Sequence, residues 1–234
     1  MNNEVLNTIK QLNPLSVFLY GSRASGDFRS NSDYEIGLIF KDADYIPRHE
    51  VHARVNFDGA RVYPFRLSDI ENGTPDTPFP QKFYMRELIE FGRTLHGEKI
   101  IEDLPKPSIT TVDLLGQIRF EIGLAYGAFR SMRSLNQDAA DYSFFKSSIY
   151  GARCLIMLQD RQFVTGYRNT FEEATKLVKN DDYRAVLRAA IDYREGRVQT
   201  IEPNLIYKNM SFLTWIEAEI QKQYDRDGDR VLVQ

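Results

Sequence analysis

The sequence predicts an α+β protein: a small mixed β-sheet domain over residues 1–104, followed by an antiparallel α-helical bundle over residues 108–225. Three observations carry this reading. The first part holds three short apolar, β-prone runs. The second repeats apolar side chains at steps of three and four almost throughout. Between them stands Leu104-Pro105-Lys106-Pro107-Ser108, whose two prolines block a continuing helix and favour an extended spacer.

The elements follow in order. Val5, Leu6, Ile9 and Leu12 share one helical face, and Pro14 ends that helix. Leu15–Tyr20 is a buried strand running into Gly21, Tyr34–Phe40 a second strand, and Ala60–Leu67 a third, which Pro64 pushes toward a sheet edge. Residues 41–59 are polar and ambiguous. Residues 72–80 carry three prolines and a glycine and form a loop. A helix over about 82–95 then stops near Gly97. In the second part, Val112 through Met132 and Tyr142 through Ile156 mark two long helices, with shorter ones at about 170–179, 181–195 and 210–224. Gly116, Gly123 and Gly127 each cost the first long helix about 1 kcal/mol relative to Ala. Close helix packing or a ligand groove would explain them. The aromatic residues of 120–150 read as core.

Composition narrows the function. The 234 residues are 42% hydrophobic and 27% charged, enough for a packed core. A net charge of −3 argues against bulk binding to nucleic acid or to an anionic membrane. No apolar run reaches the ~20 residues that span a bilayer, and the start has no signal-peptide pattern. With one cysteine, Cys154, read as a buried structural thiol, the expectation is a soluble cytoplasmic protein.

The chemistry concentrates in Gly21-Ser22-Arg23-Ala24-Ser25-Gly26-Asp27-Phe28-Arg29-Ser30-Asn31-Ser32-Asp33-Tyr34-Glu35-Ile36. A strand delivers the chain to a turn at Gly21-Ser22, where a residue without a side chain lets backbone N–H groups approach a phosphate. The Ser22 hydroxyl adds a donor, and Arg23 a guanidinium fork. Asp33 and Glu35, two apart on a strand, face the same way. Paired carboxylates beside a phosphate cradle suit a hard divalent ion and repel one another without a cation.

This Gly-Ser, ten-residue spacer, Asp-x-Glu string resembles the signature of the polymerase-β-like nucleotidyltransferase superfamily, with GSRASGDFRSNSD especially similar to its minimal and aminoglycoside-type members. The resemblance covers about residues 15–100. It implies an Mg²⁺-dependent transferase that moves a nucleoside monophosphate, AMP foremost, from a nucleoside triphosphate to a hydroxyl of a small-molecule or protein acceptor. Asp33 and Glu35 take the catalytic metal-holding role, and Gly21 and Ser22 hold the triphosphate; Arg23 is added as a supporting phosphate contact. The helical part resembles, more weakly, the accessory bundle of kanamycin-type nucleotidyltransferases and of the HEPN family, which implies substrate binding or homodimerisation. The HEPN ribonucleases use an Arg followed by a His, and no His follows His96 here.

The chain departs from the superfamily in two ways. Active members usually carry a third carboxylate on the next strand, but no Asp or Glu lies between Gly59 and Leu67, and Tyr63 or Phe65 stands where the acid is expected. The second acid is also Glu35 in place of the commoner Asp. A non-catalytic nucleotide-binding or regulatory module is therefore the alternative. Glu121 and Asp141 of the bundle are candidates to supply the missing acid. Elsewhere, His49-Glu50-Val51-His52 is one residue short of a zinc-peptidase spacing and reads as surface, and Asp225–Asp229 reads as a polar terminus.

Overall fold

The computed structural model describes residues 3–30 and 32–234; Met1 and Asn2, and Asn31 within the spacer, lie outside the described residues. The chain divides into two compact units, Met1–Pro107 and Ser108–Gln234.

The first unit is built on a four-stranded mixed sheet. Helix α1 (Asn3–Lys10) leads into β1 (Ser16–Tyr20), a one-turn helix α2 (Ser22–Ser25) and β2 (Tyr34–Phe40). A 3₁₀ turn at Asp42–Asp44 and helix α3 (Arg48–Arg54) fill the segment whose sequence is ambiguous, ahead of β3 (Ala60–Arg66) and α4 (Leu67–Glu71). After the proline-rich loop come α5 (Gln81–Phe91), β4 (Arg93–Gly97) and α6 (Ile100–Asp103). The strand order is β3-β2-β1-β4. β1 is antiparallel to β2 and β4, and β2 is parallel to β3. Pro64 does lie on an edge strand.

Alternation along the strands separates two cores. Val17, Ile36, Leu38, Phe40 and Val62 pack against Val5, Ile9 and Val51 on one face. Phe18, Tyr20, Ile39 and Phe65 pack against Met85, Leu88 and Ile89 of α5 on the other. Gly37 exists to admit a neighbour: a Cβ there would overlap the Phe18 ring.

The expected helix over 82–95 is shorter than its apolar spacing suggests, and its end is a strand. α5 closes where Gly92 N–H donates to Leu88 O at 2.7 Å, and Arg93–Gly97 extends alongside β1, with Thr94 opposite Phe18. Pairing with a strand distant in sequence overrides the local helical pattern.

The second unit is helical: α7 (Thr111–Arg133), α8 (Gln137–Asp160), α9 (Tyr167–Leu177), α10 (Asp181–Arg194) and α11 (Pro203–Asp227), with β5 (Ile109–Thr110) and β6 (Val231–Val233) pairing antiparallel. α11 starts about two turns earlier than its apolar periodicity indicates, with Pro203 at its first position. A reciprocal capping box of Thr110 and Asp113 opens α7. Asp229, in the polar terminal segment, accepts from Val112 N–H at 3.0 Å and so also caps that helix.

The aromatic residues of 120–150, expected in the core, divide: Phe144 and Phe145 are core, but Tyr126 and Tyr142 are exposed. Gly116 and Gly123 face open space and do not mediate close packing; that role belongs to Gly151 of α8, where a Cβ would overlap Leu213 of α11. No helix among the described residues is long and apolar enough to cross a membrane.

Candidate nucleotide site

The turn after β1 is shaped by Gly21. Its φ of 69° and ψ of −156° fall in a region that is essentially glycine-only. Its carbonyl accepts from the N–H groups of Ala24 and Ser25, both at 3.0 Å, which winds α2. The first amides of such a turn have no carbonyl of their own helix to bond. Gly26, at φ 86°, ends the turn.

The acids come from the neighbouring strand. Glu35 is the register partner of Tyr20, the residue before the turn. Its carboxylate lies so close to Gly21 that Oε2 occupies the space a Cβ would need. Gly21 is thus required twice, once for its torsion angles and once for the acid packed against it. Asp33, just before β2, is half-buried, as is Glu35. The structure therefore brings Gly21, Ser22, Asp33 and Glu35 to one end of the sheet.

Arg23 is engaged by the spacer loop. Its Nε donates to Ser32 O at 2.8 Å and its Nη2 to Ser30 O at 3.5 Å. The guanidinium also stacks over Phe28 and Tyr34, at 5.0 and 4.1 Å from the ring centroids. These contacts tie α2 to the residues just before Asp33. Ser32 closes the loop through its Oγ, which accepts from Arg29 N–H at 2.9 Å.

Sequence reasoning missed Arg61. In the parallel register of β2 and β3, Arg61 stands opposite Glu35, while Tyr63 is opposite Gly37 and Phe65 opposite Ile39. The residue facing the acids from β3 is thus an arginine, not the Tyr63 or Phe65 that the sequence suggests. Its Nε donates to Asp33 Oδ2 at 2.6 Å. That hydrogen bond, and then the charge of Asp33, raise the Arg61 pKa further. No motif announces this residue, because a parallel register between non-adjacent segments is not written in either segment alone.

Aromatic hydroxyls fill the space behind Glu35. Tyr20 and Tyr84 are hydrogen-bonded at 3.4 Å, and Tyr63 meets Tyr20 edge-on at 6.1 Å between centroids. Burial raises the pKa of Tyr20 well above the ordinary range and that of Tyr84 to about 12, with the charge of Glu35 adding to both shifts. These two tyrosines stay protonated at neutral pH and serve as hydrogen-bonding walls, not as bases. The two candidate acids of the bundle are buried within the helical unit. Glu121 is 1% exposed and accepts from Gln117, while Asp141, also 1% exposed, accepts from Ile201 N–H and Gln137. Cys154 is buried in the same unit, and burial pushes its thiol pKa up.

A divalent ion fits this donor set in a limited way. Two carboxylates supply hard oxygen ligands, and Mg²⁺ commonly completes its shell with substrate phosphates and water. No group of three or more His, Cys, Asp or Glu residues suited to a metal occurs among the described residues.

The architecture has a solved counterpart. The structure of spectinomycin adenyltransferase AAD(9) from Enterococcus faecialis with ATP and spectinomycin is similar, with a TM-score of 0.57 at 10% identity, covering 94% of this chain and 100% of that one. This chain has a nucleotidyltransferase fold. The likeness to the adenyltransferase is one of fold. No family model matches the sequence. No curated protein matches it either.

Proposed function

We propose that this nucleotidyltransferase fold transfers a nucleoside monophosphate, AMP in the first instance, from a nucleoside triphosphate to a hydroxyl of a small-molecule or protein acceptor. The observation that supports it most is the packing of Glu35 against Gly21, with Asp33 two residues away at the same sheet end. An anion-accepting turn and a cation-accepting carboxylate pair in contact are what a metal-bound triphosphate requires.

In this reading Gly21 and Ser22 bind the phosphates through the turn amides and the Ser22 hydroxyl. Arg23 holds the spacer loop, and with it Asp33, in place. Asp33 and Glu35 would hold Mg²⁺, which when bound neutralises charge on the reacting phosphoryl group and lowers the pKa of an acceptor hydroxyl. The chain's own groups orient the triphosphate, and Tyr20, Tyr63 and Tyr84 wall off water behind Glu35. The known adenyltransferase structure holds ATP and spectinomycin, so aminocyclitols lead the acceptor panel.

The test is pyrophosphate release from ATP with Mg²⁺ across aminoglycoside, aminocyclitol and protein acceptors. Release with at least one acceptor, reduced by about 10²-fold or more in Asp33→Ala, is expected. ATP binding without release from any acceptor would favour the second reading, a nucleotide-binding regulatory module. One observation supports that reading: the β3 position facing the acids is Arg61, so the strand supplies no proton acceptor.

A further inference from the structure

We propose that Arg61 is a built-in counter-cation of the acid pair and competes with a divalent ion for Asp33. This inference rests on the nucleotide-site reading above and concerns how that site is loaded. Two carboxylates at one sheet end repel each other unless a positive charge lies beside them. Arg61 supplies one from within the chain, across the sheet from Glu35 and 2.6 Å from Asp33 Oδ2. A guanidinium remains charged at any physiological pH, so it does not leave by deprotonation. It leaves only when another cation takes the carboxylate or an anion draws the guanidinium away.

The exposure of the pair makes that exchange accessible. The Arg61 side chain is 64% exposed and that of Asp33 33% exposed, and an ion pair in contact with water is weak. A free divalent ion must displace the guanidinium unaided, and it meets like charge on approach. A triphosphate changes the competition, because its oxygens accept the guanidinium fork and free Asp33 in the same event. The site therefore takes up a divalent ion poorly alone and well together with the nucleotide.

The experiment is a titration of the nucleotide-free full chain with Mn²⁺, followed by electron paramagnetic resonance of the unbound ion. Arg61→Gln should bind Mn²⁺ about ten-fold more tightly than the wild type, because a positive charge a few ångströms away has been removed. Arg61→Lys, which keeps the charge, should stay within about two-fold of the wild type. Adding Asp33→Asn to Arg61→Gln should abolish the gain. Equal Mn²⁺ affinity in the wild type and Arg61→Gln overturns the proposal, as does a gain that survives Asp33→Asn. Circular dichroism confirms that each variant is folded. Calorimetry with ATP and Mg²⁺ is the separate arm: absence of ATP binding would remove the nucleotide reading, whereas the Mn²⁺ comparison alone decides the role of Arg61.

Discussion

A methyl group on Gly21 would enter the volume held by Glu35 Oε2, on a backbone already at φ 69° and ψ −156°. Two penalties therefore act at one atom. Gly21→Ala should lower the stability of the first unit by about 1–3 kcal/mol in urea unfolding, the range for a non-glycine residue held in such a region. Combining it with Glu35→Ala should recover only part of this loss, because removing the carboxylate relieves the overlap and leaves the torsional strain. Full recovery would mean that the backbone relaxes freely and that the turn is not held as described. The same carboxylate adds to the raised pKa of Tyr20 and Tyr84, so turn, acid and aromatic wall form a single electrostatic neighbourhood.

Helices α7 and α8 make opposite use of glycine. Gly116 and Gly123 of α7 have nothing within 4 Å of a would-be Cβ and have ordinary helical torsions, so alanine there should raise stability by about 0.5–1 kcal/mol per site. Gly151 of α8 abuts the fully buried Leu213 of α11, and Gly151→Val should destabilise the bundle by about 1–3 kcal/mol. Thermal melts of the three single variants check both signs. The contrast also shows where the sequence speaks and where it is silent. β1, β2 and β3 were legible because each is a short apolar run bounded by turn residues, and the Gly21-Ser22 and Asp33-x-Glu35 spacing lies within one stretch. Strand β4 was not, since Arg93–Gly97 continues a helical apolar spacing and becomes a strand only by pairing with β1. Arg61 was hidden for a related reason: its relation to Glu35 exists only in the β2–β3 register. Arg23 was read by residue type alone, whereas its partners Phe28, Ser30, Ser32 and Tyr34 are set by the folded loop.

At the scale of the whole chain, the second unit is closed by its own ends. Ile109 pairs with Val233, Thr111 N–H donates to Arg230 O at 3.0 Å, and Leu232 and Val233 are buried. Deleting Asp229–Gln234 removes this ribbon together with the Asp229 cap of α7. The bundle should lose about 3–5 kcal/mol, roughly two buried aliphatic side chains plus a cap, and melt at a lower temperature by circular dichroism. A tail dispensable for melting would show that the helices close without it. The ribbon also sets where the bundle is entered and left: the segment after the proline spacer and the last strand run side by side. Anything fused beyond Gln234 thus emerges beside the inter-unit tether, and the helices suit circular permutation, with the old ends joined by a short peptide and new ones opened in a distant surface loop.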